Sequence, residues 1–338
     1  MGNLPTTILP SLILPVEHYV SELSEVDRPL KNLGSTRFFK VVRGRHTEGP
    51  VVVKVLVKHD PNLVLKQHQD QLSFILEQLG SVPNILPFSI WRDSDRAAFL
   101  IRPFVRYSLA ERMFSLPSLE PLEKKWIVYQ LLTALSSCHQ LGICHGDIKA
   151  ENVLLTGWNW VQLTDFASFK PTCLPPDNPA TFSFFFDTSR RSYCYIAPER
   201  FTDSKEVQEL SPRMDIFSLG CLIAELFTNG QVLFDLPRLL DYASGKSSPD
   251  STLDLITDKE IQSLVRHMIN VSPANRHTAS KYLDVCRGKV LPECFYSYFH
   301  HFLTTFSASV DPSHLRIRQL HRDIDQVIIH LFTDVITL

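Results

Sequence analysis

Two short polar strings constrain this chain more than any other feature of its sequence. The first, from His145 to Asn152, reads H-G-D-I-K-A-E-N, and the second, from Thr164 to Ala167, reads T-D-F-A. Their aspartates, Asp147 and Asp165, are 18 positions apart. A lone Asp-x-Lys is common in loops, but an H-x-D-x-K-x-x-N string followed by D-F at this distance is not. Two unrelated loops are therefore a poor explanation of these strings.

The size and charge of the chain narrow the class of protein. A chain of 338 residues is long enough for one two-lobed domain or two small ones. Its content of 44% hydrophobic and 21% charged residues is typical of soluble globular proteins. The net charge of −2 supplies no bulk attraction to nucleic acid or to an anionic membrane, so we expect no nucleic-acid partner. Seven cysteines without a C-x-x-C pair predict reduced thiols and a cytoplasmic location.

The N-terminus fits a lipidation pattern. Residues 1–6 match M-G-x-x-x-[ST], which predicts myristoylation of Gly2; a chance match to so short a pattern is the alternative. One myristoyl chain binds membranes with a constant of only about 10⁴ M⁻¹. Stable membrane residence would therefore need a second contact, which we expect from a partner protein.

The order of predicted elements is strands first and helices later, which indicates an α+β chain split into two lobes. Residues 1–25 have no clear period, and residues 165–199 read as one long irregular segment. The predicted elements are a hairpin of strands 38–42 and 51–57 around a turn at 44–49, a helix at 63–79, a strand at 97–105, an amphipathic helix at 122–141, strands at 153–155 and 161–163, a helix at 216–227 and a helical stretch from 294.

These motifs together resemble the protein kinases from about Leu33 to Arg276. Within them the chain is similar to the family of myristoylated regulatory subunits of class III phosphatidylinositol 3-kinase complexes. The segments that carry this closer likeness are M-G-N at 1–3, L-G-S-T-R-F-F-K-V at 33–41, H-G-D-I-K at 145–149, W-N-W at 158–160, D-F-A-S-F-K-P at 165–171 and F-F-D-T-S-R-R at 185–191.

The resemblance implies a two-lobed kinase-like fold with a β-rich N-lobe and a helical C-lobe. It implies an N-terminal myristoylated segment over residues 1–25 and a kinase domain over 26–315. Residues 316–338 would be a helical extension that begins the helical-repeat region, which family members continue with a β-propeller.

Site residues follow from the same resemblance. Asp147 takes the place of the catalytic base, and Lys149 points at the γ-phosphate. Asn152 and Asp165 bind Mg²⁺ or Mn²⁺, and the bound nucleotide is ATP, with GTP as an alternative. Nucleotide binding is assigned to Leu33, Gly34, Ser35, Thr36, Arg37, Phe38, Phe39, Lys40, Val41 and Lys54. For Lys54 the strand pattern alone favours a solvent-facing lysine, and the resemblance reverses that preference.

Several positions depart from the kinase pattern. Thr36 and Phe39 replace two glycines of the phosphate loop, which reshapes a backbone that would otherwise approach the phosphates closely. Ala167 replaces the glycine of D-F-G and restricts switching. The helix partner expected for the strand lysine is a glutamate, but the candidates here are Asp70, Gln71 and Glu77.

Gly146 removes the arginine that clamps a phosphorylated activation loop in many kinases. We therefore expect no activation through Thr188, Ser189 or Ser192, and we expect the phenylalanines from Phe182 to Phe186 to pack this segment instead.

Three further positions have predicted partners or alternatives. Glu199 of A-P-E should pair with Arg276, and Asp215 should brace the catalytic loop. Arg102 lies near the expected entry to the base pocket. Charge statistics favour an exposed strand-end arginine there, and a charged gate that alters nucleotide preference is the alternative.

Two functions remain open. In the first, the chain is a weak serine/threonine protein kinase that uses Mg-nucleotide with Asp147 as base. In the second, it is an inactive scaffold that anchors a lipid kinase. In either case the resemblance implies a class III phosphatidylinositol 3-kinase catalytic subunit and its autophagy and endosomal proteins as partners, with peripheral attachment to endosome or autophagosome membranes.

Overall fold

A five-stranded antiparallel sheet forms the N-lobe of the computed structural model, which describes residues 14–35, 38–58, 60, 63–166, 170–176, 178–186, 193–202, 209–301 and 304. The strand order is β1-β2-β3-β5-β4. The strands are β1 (Asp27–Ser35), β2 (Phe39–His46), β3 (Gly49–Val57), β4 (Ile90–Asp93) and β5 (Ala97–Pro103).

The predicted hairpin is confirmed, but its turn is shorter than expected. Strand β2 continues through Gly44, which pairs with Val51, and the chain reverses between His46 and Gly49. A Cβ at Gly44 would lie 2.5 Å from Val26 Cγ1, so glycine is needed there for close packing and not for a turn.

The segment before β1, in which the sequence shows no period, contains a short helix α1 (Val16–Val20). Its buried side chains and Leu23 pack with Val53, Phe99 and Ile101 in the N-lobe core. Helix α2 (Lys66–Leu79) confirms the predicted helix, although it begins three residues later than expected.

The C-lobe is helical around a small sheet of β6 (Tyr107–Ser108), β7 (Val153–Leu155) and β8 (Val161–Leu163). Its helices are α3 (Leu109–Met113), α4 (Pro121–Gln140), α5 (Pro179–Phe185), α6 (Pro212–Phe227), α7 (Leu236–Ala243), α8 (Asp250–Leu253), α9 (Lys259–Met268) and α10 (Ala279–Cys286), followed by a π-helical turn at Phe295–Phe299.

Two expectations for the C-lobe need correction. Helix α4 is not one-sided, because every residue from Trp126 to Leu132 is buried. These include polar Gln130, whose side chain accepts from the Asn84 amide and the Val161 N–H. The segment predicted to be irregular over 165–199 contains α5, which Asn178 caps by accepting from Ala180 N–H. The sequence pattern hides α5 because short helices depend mostly on tertiary packing.

The two lobes are joined by backbone hydrogen bonds between residues 84–86 and the end of β8. Leu163 N–H donates to Asn84 O, and Leu86 N–H donates to Leu163 O, both at 2.8 Å. This pairing brings the end of β8, and with it Asp165, beneath the N-lobe sheet. None of the described helices combines the length and apolar character that a membrane crossing requires. The predicted extension at 316–338 lies outside the described residues.

Candidate active site

The loop from His145 to Asn152 is held from below by Asp215 of α6. The backbone N–H groups of His145 and Gly146 each donate to its carboxylate at 2.8 Å, and His139 Nε2 lies 3.0 Å from it. Burial opposes ionisation of this carboxyl, but the hydrogen bond from His139 keeps the pKa of Asp215 below its ordinary value. The predicted bracing role of Asp215 therefore agrees with the geometry.

His145 links the catalytic loop to the second string. Its Nε2 donates to Thr164 O at 2.8 Å, and its Nδ1 accepts from Asp147 N–H at 3.2 Å. Burial lowers the pKa of His145, which favours the neutral ring that both bonds require. The ring also packs on Phe166, with centroids 4.6 Å apart, so the two strings form one unit.

The Asp147 carboxylate is surrounded by donors. Its Oδ2 lies 2.7 Å from Lys170 Nζ, 3.2 Å from Lys149 Nζ and 3.1 Å from Asn152 Nδ2. Although burial opposes ionisation, Lys149 and then Lys170 hold the pKa of Asp147 well below its usual range. Asp147 is therefore fully ionised at neutral pH.

Asp165 lies opposite, where the lobes meet. Lys54 Nζ is 2.8 Å from its Oδ2, which places Lys54 inside the cleft and contradicts the solvent-facing alternative. Its other oxygen, Oδ1, is buried and accepts no hydrogen bond from the described residues. A buried carboxylate oxygen without a donor suits a hard divalent cation, so Asp165 and Asn152 fit Mg²⁺ or Mn²⁺. Asp165 also has φ of 64°, a conformation that costs a non-glycine residue about 1 kcal/mol.

Arg102 corrects the expectation of an exposed strand end. Its exposed fraction is 6%, it borders the cavity between the lobes, and its Nε lies 4.0 Å from Asp165 Oδ1. Its guanidinium also packs over the Phe88 ring. Burial lowers the pKa of Arg102 and the Asp165 carboxylate partly offsets this, so the group stays cationic. Charge statistics fail here because they ignore the partner that makes burial of an arginine tolerable.

The helix partner of Lys54 is not among the predicted candidates. Asp70, Gln71 and Glu77 are all exposed, and Asp70 pairs with Lys66 on the same helix at 2.7 Å. Helix α2 turns Leu72 toward the cavity. Among the described residues, the carboxylate paired with Lys54 is therefore that of Asp165.

The cavity measures about 410 Å³, which is in the range of small-molecule sites. Eleven of the fourteen predicted nucleotide, catalytic and metal residues line it: Leu33, Gly34, Ser35, Phe38, Phe39, Val41, Lys54, Asp147, Lys149, Asn152 and Asp165. The other lining residues are not among the predicted site residues: Leu72, Phe88, Leu100, Arg102, Glu151, Phe166, Lys170 and Phe185.

Lys40 is the exception among the predicted nucleotide contacts. Its Nζ donates to Leu14 O at 3.1 Å and lies over the Tyr19 ring, so it contacts the α1 segment and not the cavity. The alternation of side chains along β2 explains this, because Lys40 follows Phe39, which faces the cavity. Thr36, Arg37, Ala167 and Gly2 lie outside the described residues.

Sequence reasoning missed Lys170 and Phe185 as parts of the site. Phe185 of α5 lines the cavity and stacks on Phe38, with centroids 5.6 Å apart. The runs of phenylalanine from Phe182 to Phe186 offered a signal, and the expected packing of this segment agrees with the burial of Phe182 and Phe186. Lys170 entered the sequence analysis only as part of the D-F-A-S-F-K-P segment that carries the resemblance, and nothing in that segment assigned it a role in the site. The expected phosphorylation positions Thr188, Ser189 and Ser192 lie outside the described residues.

The buried side chain of Arg200 contacts the backbone of the catalytic loop at Gly146. It donates to Gly146 O at 2.7 Å, Pro171 O at 2.9 Å and Thr172 O at 2.7 Å. It thereby ties the catalytic loop to the segment after Asp165 without a phosphate group. The φ of 76° at Gly146 favours glycine at this position.

The predicted pair of Glu199 and Arg276 is confirmed. Two parallel bonds of 2.7 and 3.0 Å join the guanidinium to the carboxylate, and Arg276 is fully buried. Arg276 also donates to backbone carbonyls at Asn270, Arg213 and Val271, which satisfies the buried guanidinium.

Known proteins are similar to this chain. The family model of the protein kinase domain matches residues 28–285. A putative serine/threonine-protein kinase VPS15 of Komagataella pastoris is 48% identical over 301 residues, covering 87% of this chain and 22% of that protein. The serine/threonine-protein kinase VPS15 of Arabidopsis thaliana is 44% identical over 294 residues, covering 84% of this chain and 20% of that protein.

A third relative, the serine/threonine-protein kinase vps15 of Schizosaccharomyces pombe, is 43% identical over 308 residues, covering 88% of this chain and 18% of that protein. The chain thus spans about a fifth of the length of these curated relatives. The β-sheet N-lobe and helical C-lobe have the α+β architecture expected from the resemblance. With its family match over residues 28–285, the chain belongs to the protein kinase family.

Proposed function

We propose that this chain is the kinase domain of a regulatory serine/threonine-protein-kinase subunit, which binds Mg-nucleotide and transfers phosphate weakly to protein serine or threonine. The observation that carries the proposal is the convergence of Lys54, Asp147, Asn152 and Asp165 on one cavity. These side chains come from both lobes, and only the two-lobed fold brings them together.

The roles in this proposal follow from charge and position. Lys54 holds the α- and β-phosphates, and Lys149 neutralises the γ-phosphate. Asn152 and Asp165 hold Mg²⁺ or Mn²⁺, which would offset phosphate charge during transfer. Asp147 accepts or orients the proton of the acceptor hydroxyl. The nucleotide is ATP, with GTP as an alternative that the buried Arg102 would favour.

The setting of this activity is proposed from the resemblance of the sequence to the regulatory-subunit family. The partner is the catalytic subunit of a class III phosphatidylinositol 3-kinase with its autophagy and endosomal proteins. Myristoylation at Gly2 adds a membrane contact on endosomes or autophagosomes. We keep the proposed division into an N-terminal segment at 1–25, a kinase domain at 26–315 and a helical extension at 316–338, with α1 contributing to the N-lobe core.

A second function, an inactive scaffold, is favoured by the contacts of Asp147. A catalytic base must be able to accept a proton, and Asp147 Oδ2 is already bound by Lys170 and Lys149. In this case the domain would hold nucleotide for stability and anchor the lipid kinase.

The two functions separate in one comparison of wild type with Asp147→Asn, measured for phosphate transfer and for binding of the lipid kinase subunit. Loss of transfer in the variant with binding intact supports the enzyme. No transfer from either protein with binding intact supports the scaffold. If neither Mg-ATP nor Mg-GTP raises the melting temperature of the wild type, nucleotide binding is contradicted in both.

A further inference from the structure

Lys170 is a partly buried cation that none of the proposed catalytic roles uses. Its side chain is 16% exposed, its Nζ lies 2.7 Å from Asp147 Oδ2, and it lies 4.6 Å from the centroid of the Phe186 ring. The ion pair and the cation–π contact act on the same ammonium group from two elements. Lys170 is therefore positioned by the fold, unlike a lysine on the surface.

The backbone that carries Lys170 is fixed as well. Arg200 donates to the carbonyls of the next two residues, Pro171 and Thr172, and to Gly146 O in the catalytic loop. Leu174 N–H donates to Arg200 O at 2.7 Å, which adds a backbone bond to the same contact. These bonds hold the Lys170 segment against the loop that bears Asp147.

The approach to Asp147 from α5 is also filled. A space of about 10 Å³ lies there, bordered by Asp147, Phe182, Phe186 and Tyr193 among others. A space of that size holds at most one water molecule. Tyr193 is fixed by donating to Glu151 Oε2 at 2.8 Å. An acceptor side chain cannot enter on this side while the aromatic residues stay in place.

We propose that Lys170, α5 and the adjoining Phe186 form an autoinhibitory contact, in which Lys170 holds the Asp147 carboxylate and Phe182 and Phe186 fill the acceptor side of the site. Asp147 can then neither approach a substrate hydroxyl nor accept its proton readily, because a general base needs a hydrogen bond to the proton it takes. Nucleotide binding uses Lys54 and Asp165 and is left intact. The inference rests on the proposed phosphotransfer and identifies a cause for its weakness.

The test compares phosphate transfer from Mg-ATP to a mixture of serine and threonine peptides by the complete protein. Lys170→Met removes the charge, and we expect the initial rate to rise by about tenfold. Lys170→Arg keeps a cation and should stay within about twofold of wild type. Lys281→Met, an exposed lysine of α10, is the matched surface control and should leave the rate unchanged.

Two further variants show whether the gain depends on Asp147 and keep the test usable if Lys170→Met does not fold. Adding Asp147→Asn to Lys170→Met should abolish the gain, which shows that the transfer depends on Asp147. Lys170→Gln, which keeps a polar head, serves if the methionine variant fails to fold, and it should show the same direction of change.

The outcomes of this test distinguish the inference from the proposed function. If Mg-ATP raises the melting temperature of wild type and of Lys170→Met equally, and their transfer rates are also equal, the autoinhibitory contact is overturned and nucleotide binding stands. If Mg-ATP leaves the wild-type melting temperature unchanged, the proposed function fails and the inference fails with it. A gain in Lys170→Met that persists with Asp147→Asn overturns the role given to Asp147.

Discussion

Lys54 Nζ lies 2.8 Å from Asp165 Oδ2, so a strand of the N-lobe is joined by an ion pair to the segment that follows β8 of the C-lobe. In the resemblance, that lysine pairs with a glutamate on the following helix. Here α2 presents Leu72 to the cavity, and Asp165 takes the ion pair. One carboxylate thus serves as both the lysine partner and the candidate metal ligand.

Replacing Lys54 with Met should abolish stabilisation by nucleotide. Wild type at a Mg-ATP concentration of about 100 times the dissociation constant gains roughly 2.7 kcal/mol, which a thermal-shift assay detects easily. The variant loses the phosphate contact and leaves Asp165 beside Arg102 alone. Lys66→Met, an exposed lysine of α2, should keep the full shift. An equal shift in both variants would contradict the role of Lys54.

Arg102→Met should change the preference between ATP and GTP. The buried guanidinium can only donate, so it favours a base with an acceptor at that depth, and guanine offers a carbonyl where adenine carries an amino group. We expect the melting-temperature shift with Mg-GTP to fall relative to the shift with Mg-ATP. An unaltered ratio of the two shifts would refute the gate.

The buried pair of Arg276 and Glu199 should be essential for folding. Removing one partner leaves a buried charge unpaired, which costs roughly 3–5 kcal/mol, so Glu199→Gln should lower the unfolding midpoint strongly in chemical denaturation. Breaking the exposed pair of Lys66 and Asp70 on α2 should cost only about 0.5 kcal/mol or less. Similar losses for Glu199→Gln and Lys66→Met would show that burial does not set the cost.

Phosphate transfer should rise with pH through the titration of Lys170. Burial lowers its pKa to about 8, partly offset by Asp147, while Lys149 and Lys54 also face it and lower the value further. Although burial opposes it, Asp147 raises the pKa of Lys149, so that lysine stays protonated. As pH rises through about 8, Lys170 loses its charge and releases Asp147.

The check is a profile of initial rates between roughly pH 7 and pH 9 for wild type and Lys170→Met. Wild type should gain activity across this window, and the variant, which has no group to titrate there, should start high and stay level. Parallel profiles for the two proteins would assign the rise to another group.

Contacts were predicted correctly where the residues belong to recognisable sequence motifs. Glu199 and Arg276 were paired correctly, and Asp215 was placed under the catalytic loop, because each belongs to a string with few alternatives. Strands β3, β7 and β8 and helices α4 and α6 were found from runs of apolar residues, although α5 was not, since seven residues carry too little periodic signal.

The sequence alone determined the kinase fold and its two lobes, and it predicted the candidate residues for metal and phosphate, because these depend on local pattern and on strings of fixed spacing. Only the tertiary structure decided which charges meet. Arg102 is buried because Asp165 and Phe88 lie beside it, Lys40 turns toward α1, and Lys170 reaches Asp147 from 23 positions away. Each of these placements depends on charges and packing supplied by residues distant in the chain. The local sequence around a single residue therefore cannot predict it.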